Sequence, residues 1–478
     1  MEKTTRNYIL AVGGALLFAC FCLSLVGVAV FNVWEVTKVN PETSQPVANL
    51  SPGTGEPVPT LPSLERSTSV PPRSTGVPAE SSQETEEIQE IQTQVVALRG
   101  LNPTGDVDLT LFSPAQMREH VITDFLGEYT SEEARNDAVI LAAFGLLETD
   151  FDLYDFYVDL YSEQVAGFYD YETKEMYVIQ GEGFQGPERL TYAHEYAHAL
   201  QDQVYDMQSG LNYNEKSCET EVEHCMAVRA LFEGDATLLE VAWYQTYATR
   251  QDREEIQAFY QVYQGTVFNQ APAFMQQDFF FPYEAGYAFV NNLFNRGGWE
   301  AVDQTYRNLP VSTEQIMHPE RYPNDAPIPI SLPDLLTILG DGWKELERNV
   351  RGEWTTYLIL AYGLDPSARL PEERARQAAE GWGGDEYGVY YNPETQQTVM
   401  IMQTVWESSQ EASEFGEAFR EFTSKRFSAI HTASGGEHTW EHGEGHTEFH
   451  LEGEKTTWIL APNAALGKVI WEHINQSP

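Results

Sequence analysis

His194, Glu195 and His198 belong to the run His-Glu-Tyr-Ala-His, an H-E-x-x-H pattern. Residues four apart share one face of a helix, so two imidazoles at this spacing can reach a single metal ion. Glu195 follows the first histidine and is expected at the rim of such a site. A carboxylate there can take a proton from a metal-activated water. The chain holds only 11 histidines in 478 residues, so composition alone seldom produces this pattern.

Two histidines need a third protein ligand, which leaves the fourth position to water. A histidine six residues after His198 would mark the metzincin arrangement, but that position is Val204. The remaining acids lie on the next long helix, expected over Glu219 to Tyr247. Within Ala230-Leu231-Phe232-Glu233-Gly234-Asp235-Ala236, Glu233 is the best candidate, because Gly234 and Ala236 allow another helix to approach closely. Glu219, Glu221, Glu223 and His224 compete for the role. Asp202, one turn beyond His198, and Asp235 are candidate hydrogen-bond partners for the ligand imidazoles.

These side chains need elements to position them. Pro187 suits the first turn of a helix carrying the H-E-x-x-H run. Before it, Gln164 to Tyr169 and Glu175 to Ile179 are β-rich runs around Asp170-Tyr171-Glu172-Thr173, a hairpin signal. Such a hairpin could offer an edge strand to an extended peptide. Upstream, Thr130-Ser131-Glu132-Glu133 forms a capping box opening a helix through Leu147, and Leu153 to Glu163 reads as a second helix. After a break around Ser367 to Arg376 the pattern changes. Strands are expected at Tyr387 to Tyr391, Thr398 to Val405, Phe427 to His431, Glu437 to His442, His446 to Leu451 and Thr456 to Leu460. Helices are expected over Ser408 to Lys425 and Asn463 to Ile474. His431, His438, His442, His446 and His450 fall in this part. A second metal site is conceivable there, but an exposed polar strand face is the preferred reading. Trp382-Gly383-Gly384-Asp385 reads as a turn with an aromatic anchor.

The N-terminal region has a different character. Tyr8 to Phe31 carries no charge and is long enough to cross a bilayer, with Lys3 and Arg6 ahead of it. The expectation is a cytoplasmic N-terminus (1–7), an uncleaved transmembrane anchor (8–34) and an extended Pro/Ser/Thr-rich stalk (35–84). A cleaved signal peptide and a lipoprotein at Cys20 are the weaker readings. The expected fold class is α+β: a mostly helical domain with a small hairpin (85–366), then a smaller α+β domain (377–478). A net charge of -45 argues against nucleic acid or an anionic lipid surface as partner. Cys218 and Cys225 are the only cysteines beyond the apolar segment, so a disulfide between them is expected, with metal ligation alongside His224 as the weaker reading.

HEYAHALQDQ followed by RALFEGDATLLE resembles the gluzincin branch of zinc metallopeptidases. More closely, it resembles membrane-anchored bacterial proteins described as peptidase MA-like. The resemblance spans about Val96 to Pro323 and includes SEQVAGFYDYETKEMYV, YEAGYAFV and STEQIMHPERY. It implies a zincin-like catalytic domain acting on a protein or peptide. It also implies zinc as cofactor, His194, His198 and Glu233 as ligands, and Glu195 as general base. Hydrolysis of this kind needs a second electrophile beside the metal. His318, Tyr283 and Tyr287 are candidates, with His318 preferred. The alternative is a non-catalytic peptide- or cell-wall-binding module that keeps the metal as structure. The retained Glu195 favours the enzyme.

Overall fold

The computed structural model describes residues 82–179, 183–263, 265–429, 431–434 and 436–475. The expected anchor and all but the end of the expected stalk lie outside these residues. Among the described residues no helix is long and apolar enough to cross a membrane. The described chain is α+β.

Helix α1 (Ser82–Arg99) opens the described part. Strand β1 (Asp108–Phe112) follows, then the helix Ser131–Ala143, whose N-cap Thr130 forms the expected capping box with Glu133. Asp152 caps the helix Leu153–Gln164 through the Asp155 N–H. The expected hairpin is present as β2 (Gly167–Tyr169) and β3 (Glu175–Ile179), antiparallel. Asp170 shapes its turn by accepting the N–H groups of Glu172 and Thr173. Strand β1, which the sequence reading did not include, pairs in parallel with β3 and makes a three-stranded sheet of order β1-β3-β2.

Helix α2 (Gly186–Tyr205) starts with Pro187 in its first turn and carries the H-E-x-x-H run. The single helix expected over Glu219 to Tyr247 is broken near its start into Glu215–Thr220 and α3 (Val222–Thr246). The Cys218–Cys225 disulfide joins these two pieces. Helix α4 (Ala273–Thr305) lies against α3 at unusually close range. A Cβ on Gly286 would sit 2.1 Å from the Ala230 carbonyl oxygen, and one on Gly234 would sit 2.2 Å from the Gly286 carbonyl. The two backbones therefore touch beside Glu233, which only glycine at both positions allows.

Strand β4 (Lys344–Asn349) lies ahead of the expected break near Ser367, yet it pairs with β5 (Trp382–Asn392). Helix α5 (Gly352–Tyr362) sits between them in sequence. Then come β6 (Gln397–Trp406), α6 (Ser409–Arg426), β7 (Thr432–Ser434), β8 (Glu437–His442), β9 (Gly445–Glu452), β10 (Lys455–Ala461) and α7 (Ala464–Ile474). The strand expected at Phe427 to His431 is displaced to β7. The seven strands form one antiparallel sheet of order β4-β5-β6-β10-β9-β8-β7. Phe415 and Phe419 of α6 stack on Trp406, Phe449 and Trp458 on one face. Ile470 of α7 joins Tyr390, Ile401 and Ile459 in a smaller core on the other. The larger core runs without a break from the helical part to the α6 face of the sheet. The Trp382 to Asp385 segment has a structural task there. The Asp385 carboxylate accepts the N–H groups of Arg351 and Gly352 at the start of α5, and Trp382 Nε1 as well.

Candidate metal centre

Helices α2 and α3 bring His194, His198 and Glu233 to one point, with a ligand atom of each within 4.8 Å of the others. The two Nε2 atoms are 3.0 Å apart, and each lies 3.4 Å from Glu233 Oε2. An ion with tetrahedral bonds of about 2.0–2.2 Å separates its ligand atoms by roughly 3.3–3.6 Å, so the two distances to Glu233 match one tetrahedral face and the Nε2–Nε2 distance is slightly shorter. Among the described residues Glu233 Oε2 is buried and, apart from the two imidazoles, has no hydrogen-bond partner, as would suit an oxygen that binds an ion. Glu233 is therefore the acid that the fold selects from the competitors on this stretch of chain.

The outer nitrogens of both imidazoles are also held. His194 Nδ1 pairs with Glu240 Oε2 at 3.0 Å, and His198 Nδ1 with Gln201 Oε1 at 2.8 Å. A proton shared with Glu240 through Nδ1 leaves the Nε2 lone pair for a metal. Gln201 is itself fixed by donating to the Phe232 carbonyl oxygen at 3.1 Å. These partners replace the expected Asp202 and Asp235. Asp202 instead accepts from the Tyr169 hydroxyl and Lys174, and Asp235 pairs with Arg99. Spacing was the available signal: Glu240 lies two turns beyond Glu233, and Gln201 one turn beyond His198, each on the ligand face.

Glu195 is fully buried rather than set at a rim. Its Oε2 accepts the Tyr169 N–H at 3.0 Å. Ile179 N–H bonds Ala166 and Asp170 N–H bonds Glu175, so the intervening Tyr169 N–H faces away from β3 and toward α2. Burial opposes charge on His194, but Glu233 and Glu240 outweigh it and raise its pKa to about 10. Burial likewise pushes Glu233 up, and the two imidazoles overcome it, lowering the carboxyl to about 2.

His318 does not join this group. It follows the short helix Thr313–Met317, and its Nε2 pairs with Glu353 Oε1 at 2.9 Å. That helix binds the N-terminal end of α3, where Thr313 donates to Glu223 through its N–H and its hydroxyl. Glu223 lies ten residues before Glu233, about 15 Å along the helix. Of the three candidate electrophiles, Tyr283 reaches the site: its hydroxyl donates to Glu233 Oε1 at 3.3 Å. Tyr287 is half-buried.

Glu223 has a different use. Burial raises its carboxyl to about 8, Thr313 pulling it down and Asp385 and Glu353 adding to the rise. A carboxyl whose folded pKa lies above its ordinary value near 4.5 makes folding less favourable as pH climbs from about 4.5 to 8. Glu223→Gln removes that loss. The stability of the variant relative to wild type is expected to grow from pH 5 to pH 9, read as urea midpoints. A gap of the same size at both pH values would contradict the buried-acid account.

Among the described residues one further trio, Glu314, Asp325 and Glu407, has metal-ligand spacing. The Arg321 guanidinium fills it, pairing with all three carboxylates. In the C-terminal sheet, His446 and His450 are buried, not exposed, and flank Glu448 at 3.0 and 3.1 Å on one face of β9. His450 also stacks on Trp471 of α7, with ring centroids 3.5 Å apart.

Residues 340–470 match a family model described as Domain of unknown function (DUF8575). The match runs from just ahead of β4 into α7 and contains none of His194, His198 and Glu233. No curated protein and no solved structure matches the chain.

Proposed function

We propose that this protein is a zinc-dependent peptidase of the gluzincin type, with His194, His198 and Glu233 as ligands and Glu195 as general base. One observation carries the reading: three buried ligand atoms stand 3.0, 3.4 and 3.4 Å apart on two helices, beside the carboxylate of Glu195. The two-histidine, one-carboxylate set suits zinc, which when bound supplies Lewis acidity toward a water and a substrate carbonyl.

The chain's own residues account for the remaining steps. Glu195 takes the proton of the attacking water and returns it to the leaving amine. The Tyr169 N–H fixes one oxygen of that carboxylate, which restricts its rotation. Glu240 and Gln201 orient the imidazoles. The outward edge of β2 packs on α2 with its Tyr169 N–H bonded to Glu195, so it is not the open edge that an added peptide strand would need. The N-terminal anchor and stalk complete the proposal and set the activity on the outer face of a membrane.

The test compares wild type with Glu195→Gln on a peptide library, with metal content measured for both. Glu195→Gln is expected to keep its metal and to lose roughly 10²–10⁴-fold in cleavage rate. Metal in both proteins and cleavage by neither would instead support a binding module with a structural ion. Absence of metal from wild type would end both readings.

A further inference from the structure

Glu233 gives its two oxygens to different partners. Oε2 lies 3.4 Å from Nε2 of His194 and 3.4 Å from Nε2 of His198. Oε1 accepts the Tyr283 hydroxyl at 3.3 Å and lies 3.8 Å from Arg229 Nε. Arg229 comes from one turn earlier on α3, and Tyr283 comes from α4. The carboxylate is thus gripped from two elements, and both gripping residues are buried.

The spacing of this grip is built into the backbone. Gly286, one turn beyond Tyr283, touches the Ala230 carbonyl, and Gly234, next to Glu233, touches Gly286. Neither helix can slide here without a backbone clash, so the Tyr283 hydroxyl meets Glu233 at a fixed height. A buried guanidinium needs opposite charge nearby, and Arg229 has two buried acids within electrostatic reach, Glu233 and Asp278.

We propose that Tyr283 and Arg229 are positioning residues that hold Glu233 as a one-oxygen donor and draw negative charge away from the metal. This rests on the metal-site reading above. A carboxylate with both oxygens available can close on an ion through both. A phenol and a guanidinium on Oε1 oppose that swing and weaken the donation from Oε2. A bound ion would keep an open position and stronger Lewis acidity.

The experiment uses the purified full-length protein, Co²⁺ as a spectroscopic probe, and Zn²⁺ competition for affinity. Tyr283→Phe removes one oxygen and keeps the ring. It is expected to bind one Co²⁺ about 10-fold more tightly, because Oε2 donates more strongly and Oε1 can also reach the ion. Its visible bands should weaken toward those of a five-coordinate ion as both Glu233 oxygens engage. Arg229→Gln should shift the spectrum in the same direction, and Arg229→Lys should restore part of the wild-type spectrum. A role in folding alone would leave the Co²⁺ bands of the folded variants unchanged. Wild-type spectra and affinity in both Tyr283→Phe and Arg229→Gln would overturn the proposal while the metal reading stands. Failure of wild type to bind Co²⁺ or Zn²⁺ would overturn both.

Discussion

Glu233→Ala is expected to lower metal affinity by more than the roughly 10–100-fold that follows loss of an outer hydrogen-bond partner. Three features make the loss large. Glu233 Oε2 is the third corner of the ligand triangle, 3.4 Å from each Nε2, so its removal leaves two ligands where a closed face stood. It is also the only carboxylate in that trio, and two neutral imidazoles cannot offset the charge of a divalent ion in a buried site. Finally, Arg229 would face the empty corner, and its positive charge would repel any ion that entered. Measured by metal content after equilibration with a chelator buffer, wild type should retain about one equivalent and Glu233→Ala almost none. Glu240→Gln should fall between them, because it keeps all three ligands and changes only the partner of His194 Nδ1. Glu223→Ala provides the control, since Glu223 is bound to Thr313 at the far end of the same helix. Full retention by Glu233→Ala, with loss in Glu223→Ala, would show that the ligand set is wrong.

The parts of this site that could be read from sequence are those governed by spacing along one element. His194 and His198 share a face because four residues make about one helical turn. Glu233 stood out because glycine and alanine beside an acid imply a close helix contact, and the contact is Gly234 on Gly286. The C-terminal strands were legible for a similar reason. The β-prone runs of β8, β9 and β10 are short and are bounded by Gly443, Gly453 and Pro462. What escaped depends on contacts between distant segments. β1 is five residues long and is a strand only because β3 lies alongside it in parallel. His318 is a candidate electrophile by sequence, in the STEQIMHP segment, but the fold packs that segment against α5, where Glu353 takes the imidazole. His446 and His450 appeared to lie on a solvent-facing strand. They are buried because α7 crosses that face, with Gly467 so near that a Cβ there would lie 2.4 Å from Glu448 Oε1. Asp235 was read as a partner of a ligand imidazole, and its true partner lies far away in sequence, at the end of α1.

That partner is Arg99, and Asp235→Ala is expected to cost about 3–5 kcal/mol of stability. The pair is bidentate, with Nε and the terminal nitrogen 2.7 and 2.9 Å from the two carboxylate oxygens. Both side chains are 1% exposed, so water screens neither. Tyr306 donates to the same carboxylate at 2.8 Å, and the Arg99 guanidinium lies 4.5 Å over the Trp299 ring. Removing the acid strands a buried cation and a buried hydroxyl together, which costs more than the pair itself contributes. Asp303, 2.8 Å from Arg99, remains as a partner and places the expected loss toward the lower end of that range. The bond matters for the site because α1 reaches both ligand helices: Gln92 donates to Tyr192 of α2, and Arg99 grips α3 two residues beyond Glu233. Urea unfolding of Asp235→Ala should show a lower midpoint with an unchanged slope. The double variant Arg99→Met/Asp235→Leu should recover much of the loss, since it leaves no unpaired charge inside. A loss below about 1 kcal/mol in Asp235→Ala would mean that Asp303 alone satisfies Arg99. Helix α1 would then be held chiefly by its apolar side chains, Ile88, Ile91 and Val95.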